Sequence, residues 1–142
     1  MEFPTSMLNY SSDGPSNAPT LCFLHGFMGA SADWRPIVGT LTDEWRCLRM
    51  DLPGHGRSLD RSDEAYSVAG ASAAVVKTLD AAGIDTCTLV GYSMGGRVAL
   101  SVALRWPERV ERLVLESASP GVRTAAERAA RRDLDAERAD RI

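Results

Sequence analysis

The sequence predicts an α/β fold with a mostly parallel, doubly wound sheet. Three observations carry this. Short apolar runs of strand length alternate with helical patterns, and most runs end in a glycine-bearing loop. One such loop, Gly91-Tyr-Ser-Met-Gly95, joins a strand pattern directly to a helix pattern. At 142 residues, with 44% hydrophobic and 25% charged content, the chain has the composition of a soluble globular domain.

Taken in order, Phe3, Met7, Leu8 and Tyr10 indicate a short strand, and the polar stretch Ser11–Pro19 an exposed loop. Thr20–Leu24 is continuously apolar, as a strand buried on both faces requires, and it ends at His25-Gly26-Phe27. Ser31–Leu41 reads as a helix with Ser31 as N-cap and Trp34, Ile37, Val38 and Leu41 on one stripe. Trp34 is expected to staple that helix to the sheet. A second buried strand, Arg46–Met50, runs into the tight loop Asp51-Leu-Pro-Gly-His-Gly-Arg-Ser58, followed by the connector Leu59–Glu64. Tyr66–Ala82 is an amphipathic helix capped by Ser67 and closed by Gly83. The central strand, the serine turn and a helix ending before Trp106-Pro107 come next, then a fourth parallel strand at Arg112–Glu116. Residues 1–121 form the core portion; residues 122–142, rich in Arg and Asp/Glu, begin a lid helix over the sheet edge.

Composition also excludes. A net charge of −3 with mixed signs argues against nucleic-acid binding, although Arg supplies 15 of the 16 basic residues. The N-terminus has no basic and apolar leader pattern, and no apolar run approaches the ~20 residues that span a bilayer, so a cytoplasmic protein without membrane contact is expected. Cys22, Cys47 and Cys87 sit in strand-like runs without ligand spacing and read as buried small hydrophobes. No metal site is expected. A dinucleotide fingerprint fails because Gly54-His-Gly56 lacks its third glycine, and there is no P-loop lysine.

The chemistry lies at Ser93. A serine on so sharp a turn sits in strained backbone, which requires small residues two before and two after it. It also stands at a helix N-terminus, where unpaired N–H groups and the helix dipole favour negative charge, so it reads as a nucleophile or a base. The His25-Gly-Phe27 loop leaves the sheet at the same end, which lets the N–H of Phe27 join that of Met94 in an oxyanion hole. A serine hydroxyl needs a histidine oriented by a carboxylate. His25 is expected to bond main chain and shape its turn, and His55 to be a structural or rim residue. Arg97, one turn beyond Ser93, suits a substrate carboxylate or else a surface ion pair.

The motifs His25-Gly-Phe-Met-Gly-Ala-Ser-Ala-Asp-Trp34, Asp51–Ser58, Val90-Gly-Tyr-Ser-Met-Gly-Gly-Arg97 and Leu115-Glu-Ser-Ala-Ser-Pro-Gly121 resemble the α/β-hydrolase superfamily. Within it they are most similar to the 2-succinyl-6-hydroxy-2,4-cyclohexadiene-1-carboxylate synthases of menaquinone biosynthesis, whose N-terminal half the chain would cover. In that superfamily the acid and the histidine follow the serine, so the resemblance implies that both lie beyond a truncated sheet. It further implies a lyase in which Ser93 is the base, pyruvate is eliminated from a carboxylate substrate, and no cofactor takes part. Tyr92, Arg97, Arg131 and His25 are the substrate-binding residues expected on this basis. Two alternatives remain: a serine ester or C–C bond hydrolase, and an inactive fragment that associates with itself or with a missing C-terminal half through its open sheet edge.

Overall fold

The computed structural model describes residues 6–59 and 62–142. Among these residues five strands form one sheet: β1 Tyr10–Asp13, β2 Thr20–Leu24, β3 Arg46–Met50, β4 Cys87–Tyr92 and β5 Val110–Glu116, in the spatial order β1-β3-β2-β4-β5. β1 is antiparallel to β3, and every other pairing is parallel. Four α-helices among the described residues accompany it: α1 Arg35–Val38, α2 Val68–Ala81, α3 Met94–Arg105 and α4 Ala125–Ala139.

Successive side chains of a strand leave opposite faces, and β2 shows the consequence. Cys22 and Leu24 enter one core with Leu48, Met50, Val75, Leu79, Leu89, Val98 and Val102, whereas Phe23 enters a second with Val38 and Cys47. Burial on both faces explains the unbroken apolar run. Trp34 lies against Phe23 at 5.1 Å between ring centroids and so staples the segment around α1 to the sheet.

Two expected elements change. The first strand is displaced into residues expected to form a loop, because polar partners hold it: Asp13 pairs with the buried Arg49 at 2.8 Å, and Ser12 Oγ accepts from Arg46 Nε. Phe3 lies outside the described residues, as do residues 60–61 of the expected connector. The expected helix Ser31–Leu41 is a 3-10 turn, Ser31–Trp34, followed by the single turn of α1. Ser31 is not its cap: Asp33 Oδ2 accepts the Ala30 N–H at 3.0 Å, and the Ser31 N–H goes to Asp51 Oδ1 at 2.8 Å.

The other helices begin and end close to expectation. Ser67 Oγ accepts from Gly70 N at 2.9 Å and caps α2, Gly83 closes it at φ +67°, and Tyr66 belongs to a preceding 3-10 turn. Trp106 terminates α3, with the Arg105 guanidinium 4.6 Å above its ring. The three cysteines are buried free thiols. Hydrogen bonding with Cys87, then burial, pushes the Cys22 thiol well above its usual range. Beyond β4, β5 has no second neighbour among the described residues, and Val114 and Leu115 are exposed on it. Among the described residues no helix is long and apolar enough to cross a membrane.

Candidate active site

The order β3-β2-β4 places the reversal of strand order between β2 and β4, since the chain runs outward from β2 to β3 and then returns across β2 to β4. Ligand crevices of open parallel sheets form at such a point, outside the carboxyl ends of the strands. The loops that leave β2 and β4 there are His25–Ala30 and the Ser93 turn.

Ser93 adopts φ +50°, ψ −112°, a conformation that side-chain-bearing residues avoid. It is held from both sides: its N–H donates to the Glu116 carbonyl at 2.9 Å, and its carbonyl accepts from Gly96 and Arg97 at 3.0 and 3.2 Å. The flanking glycines are required by close approach. A Cβ on Gly91 would lie 2.6 Å from the Gly95 carbonyl, and one on Gly95 would lie 2.2 Å from that of Leu24. The small residues two before and two after the serine thus let β2, β4 and α3 touch.

A cavity of about 540 Å³ opens over this turn, lined by Phe27, Ser93, Met94, Arg97, Ser117, Ser119, Arg131, Asp135 and Arg138 among others. Met94 begins α3, so its N–H has no intrahelical acceptor. Neither that N–H nor the one of Phe27 has a hydrogen-bond acceptor among the described residues. Arg97 is half-buried and makes no ion pair among them. Arg131 approaches from α4, where Asp135 one turn on accepts its Nε at 2.9 and 3.0 Å, while Arg138 stands 3.9 Å from the same carboxylate. The expected residues Ser93, Phe27, Met94, Arg97 and Arg131 therefore share one cavity.

Tyr92 and His25 do not share it. Tyr92 is the last residue of β4, and the chain turns sharply at Ser93 directly after it. Tyr92 lines a neighbouring cavity of about 440 Å³ with Gly26, Met28, Trp34 and Glu116, and its ring packs on Gly26. His25 is 1% exposed, with Nδ1 against the Gly26 carbonyl at 2.8 Å and Nε2 accepting the Leu52 N–H at 2.9 Å. That is the turn-shaping arrangement, and it leaves no ring nitrogen for a substrate. Burial, chiefly, lowers its pKa. His55 is likewise engaged, by Pro53 O and Met28 N.

Sequence reasoning missed Asp51, Asp135 and Arg138. Asp51 is 3% exposed and accepts from Ser31 N, Arg57 N and Asn9 Nδ2 at 2.8, 3.1 and 2.8 Å. Burial alone would raise its pKa, but the hydrogen bonds from Ser31, Arg57 and Asn9 outweigh it and hold the carboxyl below its usual value. It ties the loop after β3 to the start of the 3-10 turn.

A family model described as alpha/beta hydrolase fold matches residues 19–141. The chain belongs to that family. Among α/β-hydrolase relatives, the 2-succinyl-6-hydroxy-2,4-cyclohexadiene-1-carboxylate synthase of Klebsiella pneumoniae is 40% identical over 130 residues, 92% of this chain and 50% of its own length. MenH from S. aureus superposes with a TM-score of 0.85 at 34% identity, over 94% of this chain and 51% of that one. A hydrolase from Pseudomonas aeruginosa gives 0.76 at 32% identity, over 86% and 46%. The chain thus spans about half the length of these relatives.

Proposed function

We propose that the chain is the N-terminal half of a lyase of menaquinone biosynthesis that eliminates pyruvate from a succinyl-enolpyruvyl-cyclohexene dicarboxylate. The observation that supports it best is the shared cavity of Ser93, Arg97 and Arg131. Guanidinium groups hold carboxylates by charge-assisted, often bidentate bonds, and a polyanionic substrate needs several. Ser93 Oγ, its own proton passed to a histidine from outside these residues, takes the proton from the substrate carbon; the electron pair moves through the ring system and breaks the carbon–oxygen bond to the enolpyruvyl group, which leaves as the enolate and is protonated to pyruvate. The N–H groups of Phe27 and Met94 hold the oxyanion that develops, a role in which one donor is typically worth ~10²–10³ in rate.

Both histidines have their ring nitrogens committed to main chain, so neither activates Ser93. The histidine that would activate Ser93, and its carboxylate, come from outside these residues, and the chain alone has little activity. The β5 edge is where a C-terminal half, or a second copy, would pair. Residues 122–142 begin the lid, and a cytoplasmic location belongs to the same reading.

A second reading, ester or C–C bond hydrolysis, is favoured by the likeness to the P. aeruginosa hydrolase and by a turn that serves either chemistry. The test is to assay the chain alone, and with the C-terminal half of a MenH-type relative supplied in trans, for pyruvate release and for p-nitrophenyl ester cleavage. Pyruvate release only in the reconstituted mixture, lost in Ser93→Ala, supports the lyase. An acyl-enzyme burst with the esters supports the hydrolase instead, and full turnover by the chain alone, its mass verified, overturns the half-enzyme reading.

A further inference from the structure

Two loops meet beside the Ser93 cavity, His25–Ala30 after β2 and Asp51–Ser58 after β3, and the two histidines join them reciprocally. Each ring places Nδ1 against a carbonyl of its own loop, His25 on Gly26 at 2.8 Å and His55 on Pro53 at 3.0 Å. Each Nε2 faces a main-chain N–H of the opposite loop, Leu52 for His25 at 2.9 Å and Met28 for His55 at 3.1 Å. A nitrogen facing an N–H must accept, so the proton of each ring is on Nδ1 and both rings are neutral. The rings lie 5.0 Å apart, and Phe27 meets His55 edge-on at 6.0 Å.

The bond to Met28 falls on strained backbone. Met28 stands at φ +62°, one of three non-glycine residues at positive φ among those described; the other two, Ser93 and Ser117, line the Ser93 cavity. Such conformations persist only where surroundings hold them. Phe27, directly before Met28, is on the wall of that cavity.

We propose that His55 is a positioning residue which, by accepting the Met28 N–H, fixes the main chain that carries the Phe27 N–H on the Ser93 cavity. It touches no substrate. The proposal rests on reading Phe27 as an oxyanion donor, and it extends that reading to the loop that sets the donor's orientation. Losing the acceptor frees a strained turn, so the donor is misaligned without any change in the groups that bind carboxylate.

The experiment uses the 142-residue chain labelled with ¹⁵N. Long-range ¹H–¹⁵N spectra of the imidazoles are expected to show Nδ1–H and an unprotonated Nε2 for both histidines at neutral pH. The Met28 amide is expected to exchange at least about tenfold faster in His55→Ala, while the Leu52 amide, held by His25, keeps its rate. His55→Gln, whose side-chain oxygen can accept the same N–H, restores it, which separates a lost bond from a misfolded variant. In the reconstituted mixture that releases pyruvate, His55→Ala lowers kcat about 10- to 100-fold with KM unchanged, and His55→Gln recovers most of it. An Nε2–H tautomer at His55, an unchanged Met28 exchange rate in folded His55→Ala, or an unchanged kcat overturns the proposal. Absence of turnover in every variant, wild type included, counts against the lyase reading, and the tautomer and exchange results then decide the positioning role.

Discussion

The Cα of Gly95, in the first turn of α3, faces the carbonyl oxygen of Leu24 at the end of β2 so closely that an added Cβ would lie 2.2 Å from it. In an ordinary exposed helix Gly→Ala stabilises by about 1 kcal/mol. Here the obstacle is main chain of the central strand, which cannot rotate away. Gly95→Ala is therefore expected to destabilise the fold by about 2 kcal/mol or more, in the range of overpacked cores. Urea unfolding midpoints of the two proteins measure it.

Asp51 and His25 make the fold acid-sensitive in two windows. The pKa of His25 is lowered in the folded protein, so the unfolded chain takes up its proton first and stability falls as pH drops below about 6.5. The pKa of Asp51 is lowered as well: its contribution is present above about pH 4, the unfolded value, and is lost as pH falls through the folded one. Asp51→Asn keeps the shape but turns an N–H donor toward one or two of the three donors that the carboxylate accepts from. It is expected to cost about 2–4 kcal/mol at pH 7 and to flatten the lower window, leaving the upper one. Denaturant midpoints between pH 3 and 8 separate the two.

The buried thiols should be silent. Cys22, Cys47 and Cys87 are each at most 1% exposed, and the pKa values of Cys22 and Cys47 are raised, the latter chiefly by burial. Thiolate is the reactive form, so alkylation requires opening of the core. All three cysteines are expected to react with iodoacetamide at the rate of global unfolding, about 10³-fold or more below that in urea. Mass spectrometry of labelled peptides over time checks this.

Most of the architecture was legible because β2 and β4 are short, mostly apolar runs and the longer helices have their own stops. β1 was not, since a strand held by Asp13–Arg49 and by Ser12 carries no apolar signature. At the site, Ser93, Phe27, Met94 and Arg97, read from the two loops, line one cavity, whereas Tyr92, expected from the resemblance, lines the neighbouring one. Asp135 and Arg138 lie four and seven residues beyond Arg131, a spacing that puts them on one helix face; the face alone did not say that it overhangs Ser93. Partnering of the histidine rings depends on two loops distant in sequence, and no local pattern encodes it.

On the proposed lyase reading, Asp135 would compete with a carboxylate substrate for the guanidinium of Arg131. It accepts Arg131 Nε through both oxygens and is the one carboxylate among the described residues lining the Ser93 cavity. Both partners are about half exposed, so the pair itself contributes little to stability. A carboxylate ligand must displace it, and removing the competitor favours binding. Asp135→Asn is therefore expected to tighten binding of the dicarboxylate substrate or its product about three- to tenfold, and Arg131→Gln to weaken it about 10- to 100-fold, the range of one charge-assisted bond. Titration calorimetry at two salt concentrations checks both. The gain from Asp135→Asn should shrink at high salt, because both the competing pair and the ligand contact are partly solvated. Equal affinity in all three proteins would mean that α4 does not contribute to ligand binding.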